Sequence, residues 1–190
     1  MENKTTIDGI KFIMGLFQQK RNELKDRLEN LCVTDVKEDN IFLRTKEAIR
    51  NQIILHPVTF QDPVILGHRS EIITDQPNYI NPFGGQRRIT VVEVQFPFTG
   101  SSELFYYRPD SVRYSDPTVY LPDGNTVTVN VLTEQLDKAK VLLSAQQQFG
   151  LTKSIINDIN SQIVQWGKQI DQEIEQTLGE KRKLLLEFYG

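Results

Sequence analysis

The sequence has 190 residues, 38% of them hydrophobic and 25% charged, which is enough for one ordinary globular domain or a small domain with a helical extension. Its net charge of −3 argues against a protein whose whole surface grips nucleic acid or anionic membrane. Its single cysteine, Cys32, excludes an internal disulfide and a cysteine metal cluster, and it favours a reducing compartment. Because the sequence shows no signal-peptide pattern and no apolar run of about 18 residues, we expect a cytoplasmic protein outside the membrane.

Apolar residues in the first part of the chain recur every three or four positions, which predicts a first long helix over residues 7–31. Alternating four- and three-residue steps are typical of a coiled-coil seam. The seam residues are Ile10, Met14, Phe17, Leu24, Leu28 and Leu31. A shorter second helix is predicted over residues 41–51.

The next part of the sequence favours extended structure, with short strands predicted at 53–55, 57–60, 63–67 and 70–74. Pro57 and Pro63 make these edge strands or broken strands, because proline cannot donate to a strand ladder. Residues 75–85 are predicted to form a loop from their composition.

The clearest strand signal is the alternation over residues 88–98. One face carries Thr90, Val92, Val94 and Phe96, and the other carries Ile89, Val91, Glu93 and Gln95. Turn residues at 99–101 and a returning strand at 103–108 predict a hairpin, which resumes at 112–114 after an interruption at 109–110. A second hairpin is predicted from 119–121 and 126–131 around an Asp123-Gly124 turn, with Val127, Val129 and Val131 facing inward.

The last third of the sequence predicts two helices. Thr133 is expected to cap the first, which runs to about Phe149 and buries Leu132, Leu136, Ala139 and Leu143. Gly150 is expected to end it, and Thr152 to cap the final long helix. The apolar stripe of that helix consists of Ile156, Ile159, Ile163, Trp166, Ile170, Ile174 and Leu178. Gly179 is expected to bend or end the helix before a further apolar patch.

These elements predict an α+β fold in which long, coiled-coil-like N- and C-terminal helices flank a small antiparallel β domain built from hairpins. The expected divisions are a helical arm at 1–52, the β domain at 53–131 and a second arm, a helical hairpin, at 132–190. Because an amphipathic helix must bury its stripe, the arms need a partner, either in the same chain or in another copy. We expect a homo-oligomer held by Ile10, Met14, Phe17, Leu24, Leu28, Ile159, Ile163, Trp166, Ile170 and Ile174.

Residues that carry catalytic or metal chemistry are sparse. The only histidines, His56 and His68, lie near Asp62, Glu71 and Asp75 in the sequence, but their spacing matches no ligand geometry that we can derive. A metal-dependent hydrolase is therefore a remote alternative. Cys32 is expected to be a buried thiol at a helix end. We expect no metal, no cofactor and no enzymatic activity.

The β segment at 51–131 is unusual in that all of its basic residues are arginine and that it is rich in phenylalanine and tyrosine. Arginine and tyrosine are typical of stacking, bidentate recognition and interface hot spots, although strands favour aromatic residues in any case. The predicted partner-binding residues are Arg87, Arg88, Tyr106, Arg108, Arg113 and Tyr114. We expect an assembly or adaptor protein that binds another protein through this surface. Single-stranded nucleic-acid binding is the alternative, and the surplus of acids over arginines in this segment counts against it.

Overall fold

Two helices near the N-terminus and one long C-terminal helix flank a run of strands in the computed structural model, which describes residues 3–6, 10–75, 85–109 and 118–189. The elements are β1 (Lys4–Thr6), β2 (Lys11–Phe12), α1 (Ile13–Glu29), α2 (Asp39–Ile53), β3 (Thr59–Phe60), β4 (Val64–Asp75), β5 (Gly85–Thr99), β6 (Tyr107–Arg108), β7 (Thr118–Tyr120), β8 (Thr126–Thr133) and α3 (Lys138–Tyr189). The predicted α+β fold class, with long terminal helices around an antiparallel sheet, is confirmed, although the N-terminal helix is shorter than expected.

Strand β5 is the centre of the main sheet. It pairs antiparallel with β4 and β3, and along residues 90–97 it pairs antiparallel with β8. The two segments predicted at 63–67 and 70–74 form one strand, interrupted only by a register shift between Ile65 and Gly67. Because β4 and the start of β5 extend past the end of β8, the sheet continues as a two-stranded ribbon toward residues 75 and 85.

The predicted alternation along β5 and β8 is confirmed. Val92, Val94 and Phe96 lie opposite Val131, Val129 and Val127, and all six are buried. The first half of α3 covers this face of the sheet, where the ring of Phe149 stacks on that of Phe96 with centroids 4.4 Å apart.

The prediction that residues 103–108 return as a strand beside β5 was wrong. Residues Ser102–Tyr106 form a 3₁₀ helix, and β6 pairs in parallel with β2 instead. The physical reason is that Leu104 and Phe105 are both buried, whereas successive residues of a strand point to opposite faces. The segments at 110–117, which include the predicted strand at 112–114, lie outside the described residues, as does most of the loop predicted at 75–85.

The second predicted hairpin is only partly confirmed. Its turn forms, since Gly124 has a φ of 58° and the backbone N–H of Asp123 donates to the carbonyl of Thr126 over 2.8 Å. Its two strands do not form the predicted ladder, because β7 pairs with β1 while β8 pairs with β5. Pairing β8 with β5 aligns Val127, Val129 and Val131 with the inward-facing residues of β5, so that both rows are buried on one face of the sheet.

Helix α1 begins at Ile13, not at residue 7. Its buried residues are Ile13, Leu16, Phe17 and Leu24. Of the predicted seam, Ile10, Phe17 and Leu24 are buried, Leu28 and Leu31 are partly buried against the core, and Met14 is exposed. Helix α2 spans Asp39–Ile53 and residues 54 and 55 form no strand, so the strand predicted at 53–55 was wrong. Of the strand predicted at 57–60, only Thr59–Phe60 forms.

Helix α3 is one continuous helix of 52 residues, about 78 Å long at 1.5 Å per residue. The predicted break was wrong, because Gly150, Thr152 and Gly179 all lie inside the helix. Its cap is Asp137 instead of Thr133: the carboxylate of Asp137 accepts the backbone N–H groups of residues 139 and 140 over 3.0 and 3.2 Å. A glycine inside a helix costs about 1 kcal/mol, and the burial of apolar residues on both sides of Gly150 outweighs that cost.

The apolar stripes of α3 were predicted with unequal success. In the second half, all seven stripe residues from Ile156 to Leu178 are buried, as predicted. In the first half the predicted set was wrong, since Leu132, Leu136, Ala139 and Leu143 are exposed. The buried residues there are Val141, Ala145 and Phe149, which face the sheet.

The second half of α3 packs with α1 and α2 in a three-helix bundle. Ion pairs along the bundle join Arg21 to Glu173, Arg50 to Asp171 and Lys46 to Glu175. The helical arms therefore pair with each other within one chain. No helix in the described part of the chain is long and apolar enough to cross a membrane.

Candidate protein-interaction surface

The predicted partner-binding residues lie at two separate ends of β5. Arg87 and Arg88 are exposed at its start, where the guanidinium of Arg87 pairs with Glu134 over 2.8 Å. Tyr106 and Arg108 follow its far end. Position 98 lies ten residue steps after position 88 along β5, a distance of roughly 33 Å at about 3.3 Å per residue. The structure therefore does not bring these residues into one site, and Arg113 and Tyr114 lie outside the described residues.

Arg108 is joined instead to Phe12 of β2, which directly precedes the first helix. Parallel pairing of β2 with β6 sets Phe12 opposite Arg108, whose guanidinium lies over the phenyl ring, 4.4 Å from its centroid. Met14 follows Phe12 by two residues in the chain, and Tyr106 precedes Arg108 by two residues. Phe12, Met14 and Tyr106 are 49%, 55% and 46% exposed. We call these four residues, Phe12, Met14, Tyr106 and Arg108, the Phe12 patch.

The neighbours of the Phe12 patch explain why its apolar side chains face solvent. Ile10 and Ile13 are buried on either side of Phe12, so the backbone between them is fixed in a direction that points the phenyl ring outward. On the other strand, buried Leu104 and Phe105 anchor the 3₁₀ helix that carries Tyr106. The patch is therefore held on backbone that buried neighbours anchor on both strands.

The polar surroundings of the Phe12 patch are mixed in charge. Burial, and after it the negative charge of Glu103, raises the pKa of the Tyr107 hydroxyl above its ordinary value. Tyr107 therefore stays neutral between the cationic Arg108 and the exposed Lys11 opposite it in the pairing. The arrangement offers an aromatic surface with a cation already stacked on it, which suits a partner that presents apolar or aromatic groups beside a carboxylate.

Phe12 was missed as a site residue in the sequence analysis, and Met14 was assigned to an oligomer seam. A signal was nevertheless present. Apolar residues occupy positions 10, 12, 13, 14, 16 and 17, which is more than one stripe of a helix can bury. Some of these side chains had to remain at the surface, but the pattern does not say which.

The residues predicted to hold an oligomer lie mostly inside the chain. Within the bundle, Ile10, Phe17, Leu24, Ile159, Ile163, Trp166, Ile170 and Ile174 are buried, Leu28 is half-buried and Met14 is exposed. Assembly through the buried residues would require the bundle to open. The oligomer itself stays a prediction.

The histidines do not converge. His56 follows α2, and its backbone N–H donates to the hydroxyl of Ser101 over 2.9 Å, whereas His68 lies within β4 opposite Val92. Within the described ranges, no group of three or more His, Cys, Asp or Glu side chains is arranged to hold a metal ion. The prediction of a buried thiol was wrong, since Cys32 is exposed in the short connection after α1.

Comparisons of this chain with protein-family models, with characterised proteins and with solved structures found no match.

Proposed function

We propose that this chain is a non-enzymatic adaptor that binds a partner protein through the Phe12 patch. The observation that carries the proposal is the exposed Phe12 ring with the Arg108 guanidinium stacked on it, 4.4 Å from the ring centroid. Phenylalanine, tyrosine, methionine and arginine are the residue types enriched in the cores of protein interfaces.

The Phe12 patch can supply binding energy from its exposed rings. About half of Phe12 and half of Tyr106 is exposed to solvent. Covering the rest of each ring removes on the order of 100 Å² of surface, which is worth roughly 2 kcal/mol per ring. The Arg108 guanidinium is already held over the Phe12 ring, so it needs little reorganisation when a partner covers the patch.

Protein is favoured over nucleic acid as the partner because acids accompany arginines elsewhere on the sheet. Arg69 pairs with Glu71 over 2.7 Å, and Arg87 pairs with Glu134 over 2.8 Å. A phosphate backbone would have to displace these carboxylates, whereas proteins that bind single strands present a continuous positive groove beside their stacking rings. Single-stranded nucleic-acid binding is retained as the alternative outcome of the experiment.

The experiment places a photo-crosslinking amino acid at Tyr106 in the full chain and, as a matched control, at Val164, which is equally exposed on α3. Crosslinking in cells is expected to yield one discrete protein adduct from position 106 and none from position 164. Phe12→Ala and Arg108→Ala are each expected to abolish that adduct while the far-ultraviolet circular dichroism stays unchanged.

Other results would contradict the proposal. Equal adducts from positions 106 and 164, or an adduct that survives both substitutions, would exclude the Phe12 patch as a specific surface. Nucleic acid that copurifies with the chain and is lost when Arg87, Arg88, Arg108 and Arg113 are replaced by alanine would support the alternative instead.

A further inference from the structure

Strand β4 has an open edge. It pairs with β5 along one side, and within the described ranges no other strand pairs with its second side. Residues 66–72 of β4 are all exposed, and Ile72 is 64% exposed. An open edge presents backbone N–H and C=O groups that only water satisfies, so that it is a ready template for another strand.

The regular part of this edge carries opposite charges on the two sides of Ser70. The register with β5 is continuous from Gly67 to Asp75, after the shift at Ile65. Arg69 and Glu71 stand on either side of Ser70 and point to the same face, where the guanidinium lies 2.7 Å from the carboxylate. The edge therefore carries a positive charge on one side of Ser70 and a negative charge on the other.

We propose that two copies of this chain dimerise by antiparallel pairing of their β4 edges, with the two-fold axis at Ser70. In this register Arg69 of each copy lies opposite Glu71 of the other, and the exposed Ile72 lies opposite His68 of the other. Opposite residues of antiparallel strands share a face, so that the four charges form one alternating cluster. The sheet of one copy then continues into the sheet of the other, as an isologous interface requires.

Charge selects this register over its neighbours. Moving the two-fold axis by one residue would set Arg69 against Arg69 of the other copy, or Glu71 against Glu71. Like charges that lie directly opposite one another destabilise a strand pair. With the axis at Ser70, residues 67–73 of the two copies pair, and all of them lie within the regular stretch that follows the shift between Ile65 and Gly67.

This dimer is independent of the proposed adaptor surface. The Phe12 patch is built on the pairing of β2 with β6, whereas the dimer uses the edge of the main sheet. The buried contacts among α1, α2 and α3 stay within each chain. A monomeric chain would therefore overturn the dimer and leave the adaptor proposal standing.

The first experiment exchanges the charges. Sedimentation of the full chain over a wide concentration range is expected to show a monomer–dimer equilibrium. R69E and E71R should each weaken self-association at least about tenfold, because two attractive cross-strand pairs become repulsive. An equimolar mixture of R69E with E71R is expected to restore dimers. Within each of these chains the local pair is still repulsive, so restoration by mixing can come only from contacts between copies.

A second experiment keeps the charges and tests the position of the two-fold axis by disulfide crosslinking. In a Cys32→Ser background, S70C is expected to form a disulfide-linked dimer on mild oxidation, since the axis sets the two cysteines directly opposite. I72C is the matched control: it lies opposite position 68 of the other copy, roughly 13 Å from its own counterpart, which is beyond disulfide reach. A wild-type chain that stays monomeric, a mixture that does not associate, or an I72C chain that crosslinks as readily as S70C would each overturn the proposal.

Discussion

The rings of Phe17 and Trp166 stack with centroids 4.8 Å apart and planes within 5° of parallel. This contact joins α1 to α3 in the middle of the three-helix bundle, and both side chains are buried. Trp166 is the sole tryptophan of the chain, so that its fluorescence reports on the bundle directly.

Phe17→Ala is expected to lower the free energy of unfolding by about 3–5 kcal/mol, because it removes the stacked ring and leaves a cavity against Trp166. Urea unfolding followed by Trp166 fluorescence measures this change. Met14→Ala is the matched control on the same helix, and since Met14 is exposed its effect should stay within about 0.5 kcal/mol. Equal losses from both substitutions would contradict the described packing of α1.

Two glycines are expected to respond to alanine with opposite signs. Gly100 has a φ of +107°, and a Cβ there would lie 2.3 Å from the carbonyl oxygen of Pro57. Gly100→Ala should therefore destabilise the fold by about 1–3 kcal/mol or more. Gly150 lies inside α3 with no atom within 4 Å of a Cβ, so Gly150→Ala should stabilise it by about 0.5–1 kcal/mol. Thermal unfolding of the two variants tests the difference, and a loss at Gly150 would argue against a continuous α3.

Asn160 ties α3 to the segment before β3. Its side-chain amide donates to the carbonyl of Val58 and accepts from the N–H of Val58, each over 2.8 Å. Asn160→Leu removes both bonds and leaves two part-buried backbone groups unpaired, which should cost about 1–3 kcal/mol. Asn157→Leu changes an exposed asparagine one turn earlier and is expected to be nearly neutral. Chemical denaturation of the pair measures the contribution of this bridge, and similar stabilities would exclude it.

Tyr107 is expected to make stability fall at alkaline pH. Burial and the charge of Glu103 raise its pKa above the ordinary value of 10.0. The folded state therefore holds the phenolic proton more tightly than the unfolded state. This contribution to stability is fully present below the unfolded pKa and is lost as pH rises through the folded pKa. Tyr107→Phe should show a shallower loss of unfolding free energy above about pH 10. Unfolding curves at neutral pH provide the baseline, and parallel alkaline profiles would contradict the prediction.

Local periodicity predicted the parts of the fold that depend on one element at a time. The buried stripe from Ile156 to Leu178 and the alternation along β5 both follow from spacing in the sequence, because each element must bury one face. The Asp123-Gly124 turn was predictable for a similar reason, since its geometry depends on adjacent residues.

The partners of the strands could not be predicted in the same way. Residues 103–108 and 118–120 carry strand-like composition, but their pairing with β2 and β1 is decided by competition among distant segments. The prediction that Gly150 ends a helix was wrong for a related reason. The cost of a glycine in a helix is local, whereas the compensating burial of apolar side chains of α3 is against the sheet and the other helices. The Phe12 patch depends on which surplus apolar residues remain outside the core, and that choice is made by tertiary packing.

Helix α3 covers the inner face of the sheet and also completes the bundle, yet among the described elements it is the last to be synthesised. At about 5–20 residues per second, its 52 residues leave the ribosome over roughly 3–10 s. The first half of α3 leaves the ribosome before the second half, so the valines of β5 and β8 gain their cover before the apolar side of α1 does. Vectorial synthesis therefore leaves the three-helix bundle as the last described part of the fold to be completed and gives chaperones a defined window in which to act.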